Sequence, residues 1–368
     1  MLRSLERNCG EIVPLGPAGR SWLVAAKAAA RLLRLAGRNV DPTHTQFLSK
    51  AWAGIFERKL AHTDLDVIFA PVASTEIAFL ETSLPIIYYA DLTAGFFIDY
   101  AASLRGISPW SVEQMKAVEG RALRRADQLV FASQWAANRA MKEYGVSQEK
   151  ISVVPMGANL IDVPPLDEIL AIRKRRSAGS CRLLFIGVDW ERKGGATALA
   201  AMRELRARGV NATLTVVGCM PPGNVEGNGL EVVPFLDKAV PEQRRRLDQL
   251  LLESDFMLFP TRREAYGVVC CEANAFGLPL IASDGGGVPV RNGENGILLG
   301  AEASGHEYAD NIQALMSDSS RYLEFVRSGR SAFDSRLNWD AWAKSMAEIF
   351  RCVLSRKSAA SELQSTRS

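Results

Sequence analysis

Residues 255–299 read DFMLFPTRREAYGVVCCEANAFGLPLIASDGGGVPVRNGENGILL, and the rest of the chain becomes legible from this stretch outward. The apolar runs Phe256–Pro260 and Pro279–Ala282 have the length and composition of strands buried on both faces of a parallel sheet. Between them lies a segment with helical spacing that carries Glu264 and Glu272, with seven residues in between. After the second run comes Gly285-Gly286-Gly287-Val288-Pro289. Residues without a Cβ let backbone N–H groups approach a ligand closely. Strand, acid, helix with a second acid, strand and glycine loop is the pattern of a nucleotide-type site at the carboxyl edge of a sheet.

Upstream the same alternation is already running. Arg182–Gly187, Ala212–Gly218 and Leu230–Leu236 read as strands, Thr197–Arg208 and Pro241–Glu253 as helices. The first half repeats it, with strands expected at Glu11–Leu15, Asp66–Ala70, Pro85–Ala90, Gln128–Ser133 and Ile151–Pro155. Helices are expected there at Ser21–Arg38, Phe47–Ala61, Val112–Ala126 and Gln134–Tyr144. Strands alternating with helices of this length predict an α/β fold with parallel, doubly wound sheets. Residues 161–180 change character, with Pro164-Pro165 and the basic run Arg173–Arg176, and read as a linker whose charges are solvated. Tyr308–Arg327 reads as one helix and Trp339–Leu354 as another. In the latter, Trp339, Trp342, Met346, Ile349 and Phe350 form an apolar stripe better suited to a core than to a cofactor. The expected division is a first Rossmann-like domain at 1–160, a linker at 161–180 and a second Rossmann-like domain at 181–338. A C-terminal helix at 339–356 and a disordered polar tail at 357–368 follow. Two such halves imply a cleft between them, a common place for ligands.

The totals narrow the function. With 368 residues, 48% hydrophobic and 23% charged, the composition is that of a globular protein with room for two cores. A net charge of +3 gives no reason to expect nucleic acid as a partner. The six cysteines lack CxxC spacing and the three histidines lack ligand spacing, so buried reduced thiols in a cytoplasmic protein are expected and no metal site is. Lys27, Arg31, Arg34 and Arg38 share one face of the Ser21–Arg38 helix. A peripheral membrane contact or an anionic acceptor would suit that face, as would plain solvation.

Arg192 and Lys193 follow the strand ending at Gly187 and precede Gly194-Gly195 and a helix. Such a pair is ordinarily surface charge, but at a strand end its cations and the helix N-terminal amides would hold a diphosphate. Gly187, Arg192-Lys193-Gly194-Gly195, Gly218, Glu264 with Glu272, and Gly285–Pro289 together resemble the retaining glycosyltransferases of family 4, with the GT-B architecture of two Rossmann-like domains facing a cleft. Val154–Asn159 resembles the family's proline–glycine turn before the interdomain linker. The C-terminal helix would return to the first domain.

The resemblance implies transfer of a sugar from a nucleoside-diphosphate sugar to a hydroxyl of a glycan, lipid or small-molecule acceptor, with no cofactor. Arg192 and Lys193 would bind the diphosphate, Glu272 the ribose, and Glu264 the transferred sugar. Gly187, Gly218, Leu236, Tyr266, Gly267, Val268, Gly286 and Gly287 would complete the donor site. Asp91 stands where many relatives carry a histidine near the reacting carbon. Cations beside the leaving diphosphate stabilise its developing charge, so a divalent metal is not required. Retaining hydrolases use a carboxylate nucleophile; the resemblance implies instead reaction on one face, with Glu264 positioning the sugar. Glu264 could instead cap the following helix and Glu272 be a helix-surface acid, although their shared context favours ligand binding. For Asp91 a helix cap stays open beside a catalytic part.

Family members usually begin with an apolar strand, a glycine-rich loop and a helix. Here a short polar lead precedes Glu11–Leu15, which looks like the family's second strand, so about one βα unit, on the order of 30 residues, is expected to be missing. A nucleotide-sugar-binding protein without full catalytic activity is the alternative. A dinucleotide oxidoreductase is disfavoured, because no GxGxxG follows a strand.

Overall fold

Among the described residues, ten short strands rich in Ile, Val, Leu and Phe pair into two separate parallel sheets. The computed structural model describes residues 1–100, 106–177, 179–223 and 229–365. Residues Met1–Val154 together with the chain from Ala343 onward make one unit, and Pro155–Trp342 make the other.

In the second unit the strands are β5 (Ser180–Ile186), β6 (Asn211–Val217), β7 (Leu230–Val233), β8 (Phe256–Phe259), β9 (Leu280–Ser283) and β10 (Ile297–Leu299). Their spatial order is β10-β9-β8-β5-β6-β7, so the chain winds outward from β5 in one direction and then, from β8, in the other. The reversal falls between β5 and β8, which pair at Leu183 with Phe256 and Leu184 with Met257. Strand pleat explains the double burial. Leu183, Phe185, Phe256 and Leu258 enter a core with Ala198, Leu205, Tyr308 and Ile312, whereas Leu184, Met257 and Phe259 enter a second core with Leu251, Cys270 and Phe276. Each large apolar side chain buried this way stabilises the unit by roughly 1.5–3 kcal/mol.

The first unit holds β1 (Ile68–Pro71), β2 (Ile86–Ala90), β3 (Gln128–Phe131) and β4 (Ile151–Val153) in simple sequential order. Among the described residues this sheet has no reversal. Its β2 and β3 are buried throughout, under helices that include Gln46–Leu60, Pro109–Arg125 and Gln134–Tyr144. The Trp339–Ser365 helix contributes Phe350 to this unit, its ring 5.7 Å from that of Phe69.

Several expectations need correction. Glu11–Leu15 is not a strand: Pro14 and Pro17 have no N–H to give a ladder, Gly10 and Gly16 have φ of 91° and 64°, and Lys59 Nζ donates to the carbonyls of Leu15 and Pro17. The lead before it is a helix, Leu2–Cys9. The segment 161–180 contains the helix Leu166–Lys174, and its basic run is not uniformly solvated. Arg173 is 3% exposed and donates to the carbonyls of Ser254, Leu251 and Phe276, while Lys174 and Arg175 face solvent. Tyr308–Arg327 is two helices, Gly305–Ser317 and Ser319–Arg336, broken where the Asp318 carboxylate accepts the Arg321 N–H at 2.9 Å. Of the tail read as disordered, residues 357–365 continue the last helix, in a run free of Gly and Pro, and 366–368 lie outside the described residues.

One buried acid of the first unit makes stability pH-dependent. Glu119 is 5% exposed, and burial pushes its pKa up to about 7, although the Ala94 N–H donates to it at 2.7 Å. A carboxyl whose folded pKa is raised contributes its stability below the unfolded value and loses it as pH rises through the folded one. Between about pH 5 and pH 9 the protein is expected to lose about 3 kcal/mol through this group. Glu119→Gln keeps an acceptor for Ala94, and urea unfolding should show a flatter pH profile. A slope identical to that of the unsubstituted protein would refute the assignment.

Candidate functional site

The strand order reverses between β5 and β8, and the carboxyl ends of strands at such a reversal are the general position for ligands in open α/β sheets. Two loops meet there. In the first, Asp189 caps a four-residue helical turn, Trp190–Lys193, by accepting the Arg192 N–H at 3.0 Å. Gly194 then takes φ 77°, and a Cβ on it would lie 1.9 Å from the carbonyl oxygen of Pro260. The second loop, Pro260–Glu264, is laced to the first by the Arg262 N–H on the Arg192 carbonyl at 2.9 Å and by Arg192 Nη1 on the Arg263 carbonyl at 3.2 Å. Glycine at 194 therefore serves the seam between these loops. Gly187 has a related part: a Cβ there would stand 2.9 Å from Lys193 Cγ, so the lysine stem lies across it.

That seam brings Arg192, Lys193 and Glu264 together. Glu264 is 8% exposed; its Oε2 pairs closely with Lys193 Nζ and lies 3.7 Å from Arg192 Nη1. Lys193 Nζ also sits 4.9 Å from the centre of the Phe259 ring. Arg192 Nε also lies 3.4 Å from Asp189 Oδ2, so the two cations face two carboxylates. Glu264 is not the cap of the next helix, Val268–Ala275, whose N-cap is Gly267. Instead its backbone bridges the glycine loop, with its N–H on the Gly285 carbonyl at 2.9 Å and its carbonyl accepting the Gly287 N–H at 3.1 Å.

This bridge corrects the reading of the glycine loop. A Cβ on Gly285 would lie 2.3 Å from the Thr261 carbonyl oxygen, and one on Gly286 2.0 Å from that of Glu264. The room these residues leave is filled by protein backbone, and the Gly287 N–H is engaged as well.

Glu272 is not a surface acid but is fully buried on the Val268–Ala275 helix. Its Oε1 pairs with Lys238 Nζ and accepts the Asn159 N–H at 3.3 Å. Its Oε2 is buried with no hydrogen-bond partner among the described residues. Burial raises its pKa, and Lys238 opposes that shift. Asn159 in turn accepts the Trp339 Nε1–H at 2.9 Å. Lys238 is a residue that sequence reasoning missed. Its only signal is indirect: an acid flanked by Cys270, Cys271, Ala273 and Ala275 on one short helix is a buried acid in want of a cation.

The other expected residues are placed as follows. Gly218, with φ 93°, ends β6 beside the Gly187 carbonyl; a Cβ there would be 3.0 Å from that oxygen. Leu236 and Val268 are half-buried. Tyr266 is 1% exposed and its hydroxyl donates to the Met156 carbonyl at 3.0 Å, so it ties down the proline–glycine turn. Gly267 has φ 81° and abuts the Phe259 ring. Asp91 belongs to the first unit, immediately after β2. No group of three or more His, Cys, Asp or Glu among the described residues is arranged to hold a metal ion.

A nucleotide-type fold with paired cations and a buried acid at its switch point defines a class, and comparison with known proteins agrees with it. Residues 180–318 match the family described as glycosyl transferases group 1. Among curated proteins the chain is 28% identical over 293 residues to a D-inositol 3-phosphate glycosyltransferase of Nocardia farcinica, covering 74% of this chain and 62% of that one. It is 27% identical over 265 residues to the protein of that name from Corynebacterium kroppenstedtii, covering 65% and 56%. The chain thus spans little more than half the length of these relatives. Among solved structures it is similar to a sucrose-phosphate synthase from Thermosynechococcus elongatus, at TM-score 0.63 and 20% identity over 83% of this chain and 78% of that one. It is also similar to Anabaena Alr3699/HepE, solved with UDP and glucose, at TM-score 0.58 and 17% identity over 82% and 81%. The fold is that of the GT-B glycosyltransferases, with two parallel-sheet α/β units.

Proposed function

We propose that this chain is a retaining glycosyltransferase that moves a sugar from a nucleoside-diphosphate donor to an acceptor hydroxyl without a divalent metal. The observation that carries the reading is the Arg192–Lys193–Glu264 cluster at the β5/β8 reversal. A donor diphosphate competes for Lys193 with Glu264, and for Arg192 with Glu264 and Asp189. As the sugar leaves, negative charge grows on that diphosphate, and preorganised, partly buried cations stabilise it more than water would. Glu264, released from its lysine, is then free to take hydroxyls of the transferred sugar. The unpartnered Glu272 Oε2 supplies an acceptor for a ribose hydroxyl. Asp91 is assigned to the reacting carbon on the family resemblance alone.

Support for the donor class comes from relatives named as glycosyltransferases and from a fold neighbour solved with UDP and glucose. A cytoplasmic location accords with six free thiols. Titration calorimetry with UDP-, GDP- and ADP-sugars in the presence of a chelator, followed by NMR of the released anomer, tests the reading. Binding of one donor with release of the anomer it carried is expected. Failure of all three to bind would rule the reading out, and binding that requires a metal would remove the metal-free element of it.

A further inference from the structure

The helix Arg20–Leu35 lies on the first unit, yet from Ser21 to Leu35 only Ala30 is buried, with Leu23 and Ala26 half-buried. At about 3.6 residues per turn, the face opposite Ala30 carries Val24, Ala28, Leu32 and Leu35. Val24, Leu32 and Leu35 are 63%, 69% and 81% exposed. Along one flank run Lys27, Arg31 and Arg34, all exposed and without an ion-pair partner among the described residues. Along the other lie Trp22 and Leu33. The Trp22 ring meets Phe47 edge-on at 5.7 Å, and with Trp110 these rings border an apolar groove of about 370 Å³. All three rings keep roughly half their surface in solvent.

A helix whose outward face is aliphatic is an unfavourable thing to leave in water. We propose that this face docks on a membrane surface carrying anionic lipids. Val24, Leu32 and Leu35 would enter the acyl boundary. Lys27, Arg31 and Arg34 would reach back on their flexible stems to lipid phosphates. Trp22, Phe47 and Trp110, amphipathic or apolar rings on the opposite flank, would sit at headgroup level. Charge complementarity selects this occupant. The helix contains no acidic residue, so a two-fold contact with a second copy would set its cations against like charge. No helix of the described residues is long and apolar enough to cross a membrane, so the association would be peripheral.

Co-sedimentation of the full chain with vesicles of phosphatidylcholine, alone or mixed with phosphatidylglycerol, tests this. Uptake is expected only with the anionic lipid and should fall with added salt. Replacing Lys27, Arg31 and Arg34 together by Glu should weaken partitioning by on the order of a hundredfold. Leu32→Ser with Leu35→Ser should weaken it by at least roughly tenfold. Because these side chains are exposed, both variants should melt as the unsubstituted protein does, which separates lost docking from lost folding. Equal uptake by both vesicle types, uptake by neither, or unchanged uptake of the double serine variant would overturn the proposal. A dimer dispersed by the double serine variant, without vesicle binding, would do the same.

Discussion

Lys193→Ala is expected to weaken nucleoside-diphosphate binding by on the order of 100-fold or more, because it removes a partly desolvated charge from the place assigned to the diphosphate. It should also cost about 2 kcal/mol of stability, below the roughly 3–5 kcal/mol for breaking a fully buried pair, because Arg192 remains 3.7 Å from Glu264. The two losses can be pulled apart. In the double variant Lys193→Ala/Glu264→Gln the stranded carboxylate is gone, so stability should return while affinity does not. Glu264→Gln alone carries the sharper expectation. With its internal competitor neutralised, Lys193 is free for phosphate, so free nucleoside diphosphate should bind severalfold more tightly than to the unsubstituted protein while sugar transfer falls. Calorimetric titration of the four proteins, beside urea unfolding, gives both quantities. Weaker diphosphate binding by Glu264→Gln would mean that the carboxylate aims the lysine instead of competing with the ligand, and the exchange between the two would be lost from the mechanism.

What the sequence discloses here depends on the range of the interaction. Strand β8 was legible at Phe256–Phe259 because burial on both faces demands an unbroken apolar run, which is a local property. That Arg192, Lys193 and Glu264 are neighbours was legible because they follow such strands in order. The reasons for the glycines were not. Gly194 is fixed by the carbonyl of Pro260, and Gly285 by that of Thr261, contacts that exist only once distant loops have met. Arg173 misled for the same reason. A run of four cations reads as solvated, and nothing local shows that three carbonyls from Leu251, Ser254 and Phe276 converge on one of them. Glu11–Leu15 failed differently: its apolar content suits a strand, but Pro14 and Pro17 deny the ladder its donors.

Lys238 is the most consequential residue that local pattern could not supply, and its replacement should be costly in a pH-dependent way. Lys238→Met leaves Glu272, fully buried, without the cation that Oε1 now holds. Removing one partner of such a pair costs about 3–5 kcal/mol, and the neutral acid escapes much of that cost. Burial already holds the Glu272 pKa above the ordinary carboxyl value, with Lys238 pulling it down. Loss of Lys238 should therefore raise it further. A carboxyl with a raised folded pKa loses stability as pH climbs through that value. The variant should accordingly lie close to the unsubstituted protein near pH 5 and well below it near pH 8. Adding Glu272→Gln to Lys238→Met should remove most of the pH-dependent part, since no charge is then left to bury. Nucleotide affinity offers an independent check. Lys238→Arg keeps a cation on Oε1 and should retain binding, whereas Lys238→Met at pH 8 should bind poorly even when folded, because Glu272 is then drawn toward whatever cation or proton is near instead of presenting Oε2 to a ribose. Thermal unfolding of the three variants across this pH range decides the matter: a destabilisation of Lys238→Met that is the same at both ends would mean the lysine acts by packing, with no charge on Glu272 to hold.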